Sequence, residues 1–191
     1  MLTRTIVMLA TLAVVAPQVP DAREAMRLGR SQDDALYSAF SKGYHLTPSP
    51  PVANAEIITE FRRSVLIVRE HMQRGEMGFT DHELDNEMKP HRGLVTFIVE
   101  VNLHPLNTYT RMPPYEMYVS LGSGVPPLAA PEIRRDPVYA LGGPGAALLG
   151  VRLEATFPRD KIAAGPAPEL IVTNESADVL WRARIDLTRY R

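Results

Sequence analysis

The sequence predicts a mainly β domain: a small antiparallel β-sandwich, immunoglobulin-like in broad architecture, preceded by two or three short helices. Three observations point there. From Leu94 onward apolar and polar residues alternate in five or six short runs, the period of half-buried strands. Clusters of Gly and Pro separate those runs and supply turn chemistry. No helical period lies between them, as an antiparallel all-β arrangement requires. The alternative is an α+β layer, one antiparallel sheet backed by helices of residues 60–89.

Length and composition set the frame. The chain has 191 residues, no cysteine, 21 basic and 22 acidic residues and a formal net charge of −1. One globular domain with a short appendage fits that length. A near-neutral balance argues against a nucleic-acid binder held by a basic surface. Without cysteine there is no disulfide framework, thiolate metal site or cysteine nucleophile. Three of the basic residues are lysine (Lys42, Lys89 and Lys161), the rest arginine, and proline numbers 17. Guanidinium forks suit anions, but Arg, Ala, Pro and Gly enriched together fit a GC-rich coding sequence better.

The elements follow in order. Arg4 and the apolar run Thr5 to Ala16 read as a secretory signal: a spanning helix needs about 20 apolar residues, a signal core about 7–15. Val14 and Ala16 suit the −3 and −1 positions. Pro17 then lies badly for the peptidase, so the expected cut is after residue 16 or as late as 22, with retention as an anchor the other option. Cleavage after Ala16 leaves 175 residues (191 − 16) and, without Arg4, a net charge of −2. A chain of that size buries roughly 70% of its unfolded surface and needs no covalent staple. Residues 17–55 are expected as a leader, a short helix and a proline-rich connector. Ser31 caps that helix at about 31–42, Asp33 and Asp34 favour its positive end, and Gly43 stops it. Pro48, Pro50 and Pro51 make the connector extended.

Residues 56–191 form the expected globular domain. Phe61, Val65, Val68 and Met72, spaced four, three, four, predict a helix ending at Gly75, with Arg62, Arg63 and Arg69 among the polar positions. Thr80-Asp-His-Glu83 is a capping box, Leu84 and Met88 form the buried stripe, and Pro90 closes the helix. Strands are expected at 94–103, 115–121, 151–157, 170–173 and 181–187, with 138–141 a further candidate. Trp181, the only tryptophan, is the natural core anchor.

Chemistry-bearing motifs are sparse. His71, His82, Asp85 and His91, with Glu83 and Glu87 between them, are zinc-type ligands, but no His-Glu-x-x-His or calcium-loop spacing links them. A metal-dependent hydrolase using His71, His82, Asp85 and His91 is therefore the alternative reading, and a solvated helix face the plainer one. Gly122-Ser123-Gly124 is not a nucleophile elbow, and Gly142 to Gly145 lacks the Lys-Ser or Lys-Thr of a phosphate loop. Asn174-Glu175-Ser176 matches a glycosylation sequon at the level of chance. On the late strands, Arg152 and Glu154 and then Arg182, Arg184 and Asp186 point outward, where pairing across strands would match opposite charges. Tyr109 and Tyr118, beside Arg111 and a proline-rich turn, offer an exposed binding surface, whereas Tyr115 falls on the apolar face.

The function expected on these grounds is binding, not catalysis: a cofactor-free exported protein of the bacterial periplasm or envelope. Its partner would be another envelope protein or a surface polymer met through Tyr109, Arg111 and Tyr118. No spanning segment is expected once the signal is removed, and the oligomeric state is open.

Overall fold

A computed structural model of the chain describes residues 22–104, 111–140 and 147–190. The expected signal therefore lies outside the described residues, as does the 142–145 glycine loop. Two four-stranded antiparallel sheets and five α-helices make up the fold.

The N-terminal part is more built than its sequence suggests. Helix α1 (Ala22–Gly29) falls where a leader was expected, and Ala25, Met26 and Leu28 enter the core. It packs on α3 (Glu60–Gln73) so closely that a Cβ on Gly29 would sit 2.5 Å from Val68 Cβ. Glycine is there because two helix backbones approach, a reason that one-helix periodicity does not reveal. Helix α2 (Asp34–Lys42) starts later than expected: Asp33, not Ser31, is its N-cap, accepting bonds from the Ala35 and Leu36 amides. Gly43 closes it as expected.

The proline-rich connector also carries structure. Strand β1 (Val52–Ile58) begins directly after Pro51. The preceding segment lies along its edge, with the Leu46 amide donating to the Ala55 carbonyl and the Ile57 amide to the Tyr44 carbonyl. This strap hides an edge that would otherwise present unpaired backbone groups. The Tyr44 ring in turn meets the ring of Tyr190, 5.8 Å away near the C-terminus.

Helices α3 and α4 (Asp81–Met88) match their sequence signals. Thr80 and Glu83 form the reciprocal capping box, and Leu84 and Met88 are buried. Arg62 departs from expectation. It is 3% exposed, inserted between the Phe40 and Tyr44 rings, and bonded to Glu56 and to Ser41 Oγ at 2.9 Å.

Sheet I has the order β1, β2 (Leu94–Asn102), β6 (Leu148–Pro158), β5 (Ile133–Tyr139). Sheet II runs β4 (Leu128–Ala129), β3 (Glu116–Ser120), β7 (Glu169–Thr173), β8 (Val179–Arg184). A short helix, α5 (Arg159–Ala163), joins β6 to β7. The candidate strand at 138–141 lies earlier, as β5. The last strand ends at Arg184, with a 3-10 turn at Leu187–Arg189.

Phe97, Val99, Leu153 and Phe157 from sheet I share one continuous core with Met117, Val119, Leu170, Val172 and Trp181 from sheet II and with Phe61, Val65 and Leu84 from the helices. Arg135 ties the sheets at one end: it extends from β5 to the Tyr115 carbonyl (2.9 Å) and the Glu116 carboxylate (2.7 Å). Two antiparallel sheets and a helical layer thus bury a common interior, and Trp181, 4% exposed, anchors it as the sequence predicts.

Candidate binding surface

The histidine and acid residues of 71–91 come first, because their ligand types are the strongest chemical signal. They do not converge. His71 Nδ1 engages Glu76 and Nε2 engages Glu87 (2.9 Å), so its two nitrogens point to different carboxylates. The ring stacks on Phe79, centroids 3.7 Å apart. Burial alone would lower the His71 pKa, but the bonds to Glu76 and Glu87 together outweigh it and the net shift is upward. His82 lies on the exposed side of α4 and contacts Asn86, Asp85 pairs with Arg92, and His91 sits apart beside Arg63. Burial and then the Arg63 charge lower the His91 pKa. Among the described residues no group of three or more His, Asp or Glu side chains is arranged to hold a metal ion.

The tyrosine and arginine residues chosen from the sequence separate in a different way. Tyr109 lies outside the described residues. Arg111 is exposed, and Tyr118 is half-buried on the outer face of sheet II. Tyr115 is buried, as the alternation predicts. Beside them, Pro113, Pro114 and Tyr115 form an open cleft of about 480 Å³ with Asn174, Glu175 and Leu180.

The two outer faces differ in how their charges are matched. On sheet I, register places Arg152 between Glu100 and Asp136, and Glu154 beside Arg134. Arg152 lies 3.8 Å from Glu100, and Arg134 is 2.9 Å from Asp136. Thr96 and Thr156 bond to each other across β2 and β6 at 2.9 Å. Opposite charges are interleaved, so this face is close to neutral by construction.

Sheet II is arranged otherwise. One cross-strand row runs Ala129, Tyr118, Ile171, Arg182, and the next places Ser120, Glu169 and Arg184 together. Arg182 and Arg184 are both exposed. Among the described residues neither has a carboxylate oxygen within 4 Å: the Glu169 register partner does not close on Arg184. Asp186 is engaged elsewhere, accepting from the hydroxyl and amide of Thr188, which lowers its pKa.

The sequence pattern places Arg152, Glu154, Arg182 and Arg184 outward and would match their charges if their strands paired. They cannot, because β6 and β8 belong to different sheets. Arg152 finds its acids on β2 and β5 instead, and the arginines of β8 close no ion pair among the described residues, with Glu169 standing in register beside Arg184. Alternation within a strand tells which residues face out; it does not tell which strand lies alongside. Comparison with family models, curated proteins and solved structures finds no match to this chain.

Proposed function

We propose that the chain is an exported, non-catalytic binding protein of the bacterial envelope or periplasm, and that its partner, an envelope protein or surface polymer, meets the outer face of sheet II. The supporting observation is the contrast between the two outer faces. Sheet I closes ion pairs across its outer face, whereas sheet II sets Tyr118 and Ile171 in a row with Arg182, next to a second arginine that, like Arg182, closes no ion pair among the described residues. A phenol ring and guanidinium forks recognise carboxylates, phosphates and aromatic groups through directional contacts. Arg111 and Tyr109 extend this surface in the reading taken from the sequence. Export rests on Arg4 and the apolar run that follows it. No helix among the described residues is long and apolar enough to cross a membrane.

The test uses the full-length chain expressed in a bacterial host and in-cell crosslinking. Fractionation with intact mass is expected to find the chain shortened at its N-terminus and in the envelope fraction. Crosslinked species are expected to fall when Tyr109→Ala is combined with Tyr118→Ala, with the thermal midpoint kept. A full-mass cytoplasmic chain would refute export, and unchanged crosslinks would refute the surface.

A further inference from the structure

Each long edge of the two sheets except one is closed or guarded. The strap at residues 44–46 lies on β1, β5 carries Pro137 and interleaved charges, and β4 is two residues long. Strand β8 is the exception: among the described residues it ends sheet II and pairs only with β7. The Ile185 amide donates to the Pro168 carbonyl, and antiparallel alternation then makes Leu170–Ala183 and Val172–Trp181 the hydrogen-bonded pairs. The backbone groups of Arg182 and Arg184 are therefore those that face away from β7. Their side chains lie on the outer face, exposed and without acidic partners among the described residues.

We propose that β8 is a docking edge for an extended acidic segment of a partner protein, which adds as a fifth strand of sheet II. The inference rests on the binding reading above and names the partner's chemistry. Backbone groups at Arg182 and Arg184 supply main-chain bonds, as in other strand-addition complexes. Two cations spaced by two residues, on one face, select acidic side chains at the same spacing on the incoming strand. The same charges disfavour a second copy of this chain at β8, because pairing two such edges sets arginine against arginine. A polysaccharide can satisfy the charges but offers no backbone ladder, so the open edge favours a peptide.

The experiment titrates the mature chain with a short synthetic peptide alternating threonine and glutamate, up to millimolar concentration, beside its threonine–lysine counterpart and dextran sulfate. Binding is followed by calorimetry, and amide exchange is followed residue by residue. The acidic peptide is expected to bind selectively and to slow exchange at Arg182 and Arg184. Trp181 and Ala183, already bonded to β7, are expected to change little. Charge reversal, Arg182→Glu with Arg184→Glu, is expected to weaken binding by about tenfold or more, since two favourable cross-strand pairs become repulsive. Both residues are exposed, so an unchanged thermal midpoint of that variant separates lost binding from lost folding. Failure of the acidic peptide to outbind the lysine peptide would overturn the proposal. So would binding with unaltered amides at Arg182 and Arg184, and dextran sulfate binding alone would replace the strand with an anionic polymer. An exported chain that captures its partner through Tyr118 while those amides exchange unchanged keeps the binding reading and removes the edge.

Discussion

Replacing Arg62 tests how the N-terminal segment is held. The guanidinium is 3% exposed and bonded to a Glu56 side chain that is 15% exposed, while two aromatic rings flank it and Ser41 accepts a further bond. Breaking a buried pair from one side costs about 3–5 kcal/mol. Two cation–π contacts add about 0.5–1 kcal/mol each. Against this, Nη1 has no hydrogen-bond partner among the described residues, and removing it recovers a desolvation cost of about 1–3 kcal/mol. Glu56 also keeps some contact with water. The balance is a loss of about 3 kcal/mol for Arg62→Met, which retains most of the buried stem. Glu56→Gln is expected to cost about 2 kcal/mol, because an amide holds a guanidinium less strongly than a carboxylate does. The double variant should then lose less than the sum by about 1–2 kcal/mol, the signature of a shared contact. Urea unfolding at neutral pH, followed by the buried Trp181, measures all three. A single Arg62→Met cost below about 1 kcal/mol, or costs that add within about 0.5 kcal/mol, would refute the buried-pair reasoning.

Two further substitutions probe the helical layer. Gly29→Ala drives a Cβ against the Val68 Cβ and the Val65 carbonyl, which no side-chain rotation can relieve, an overpacking expected to cost about 1–3 kcal/mol in urea unfolding despite alanine's better helix propensity; a variant as stable as the native chain would refute the close approach. His71 has a folded-state pKa above its ordinary value, so its charged bonds to Glu76 and Glu87 stabilise most below the unfolded pKa of about 6.5 and are lost as pH rises through the folded value. The stability gap between the native chain and His71→Gln should therefore be wide near about pH 6, below the ordinary histidine value, and shrink on the alkaline side. A gap independent of pH, or a ring titrating at or below its ordinary value by NMR, would contradict this.

Where local chemistry alone decides, the sequence was readable. The capping box of α4, the spacing of α3 and the alternation of β2 and β6 need no partner to be recognised. What was missed depends on contacts across the fold. Arg62 sits at a position that is polar by type, and only Glu56 and the rings of Phe40 and Tyr44 make burial tolerable there. Strand β5, with two arginines, an aspartate and a proline in seven residues, lacks the apolar alternation of a strand because its outer charges are matched on β6 and Arg135 reaches back to β3. Of the binding surface, Tyr118 and the outward arginines were legible. That no described acid closes on Arg182 was not, since it depends on which strands share a sheet.

The ring contact between Tyr44 and Tyr190 has a bearing on the order in which the protein can be made. The strap beside β1 leaves the ribosome early, yet the aromatic group that packs on it, Tyr190, follows 146 residues after Tyr44. Until β8 and the turn behind it have emerged, the strap lacks that cover and sheet II lacks its final strand. A nascent chain can acquire helices α1 to α4 with sheet I still incomplete, but the strap gains its cover only once residue 190 has emerged. Chains truncated just before Tyr190 should consequently loosen the strap at residues 44–46 as well, instead of fraying at the cut alone.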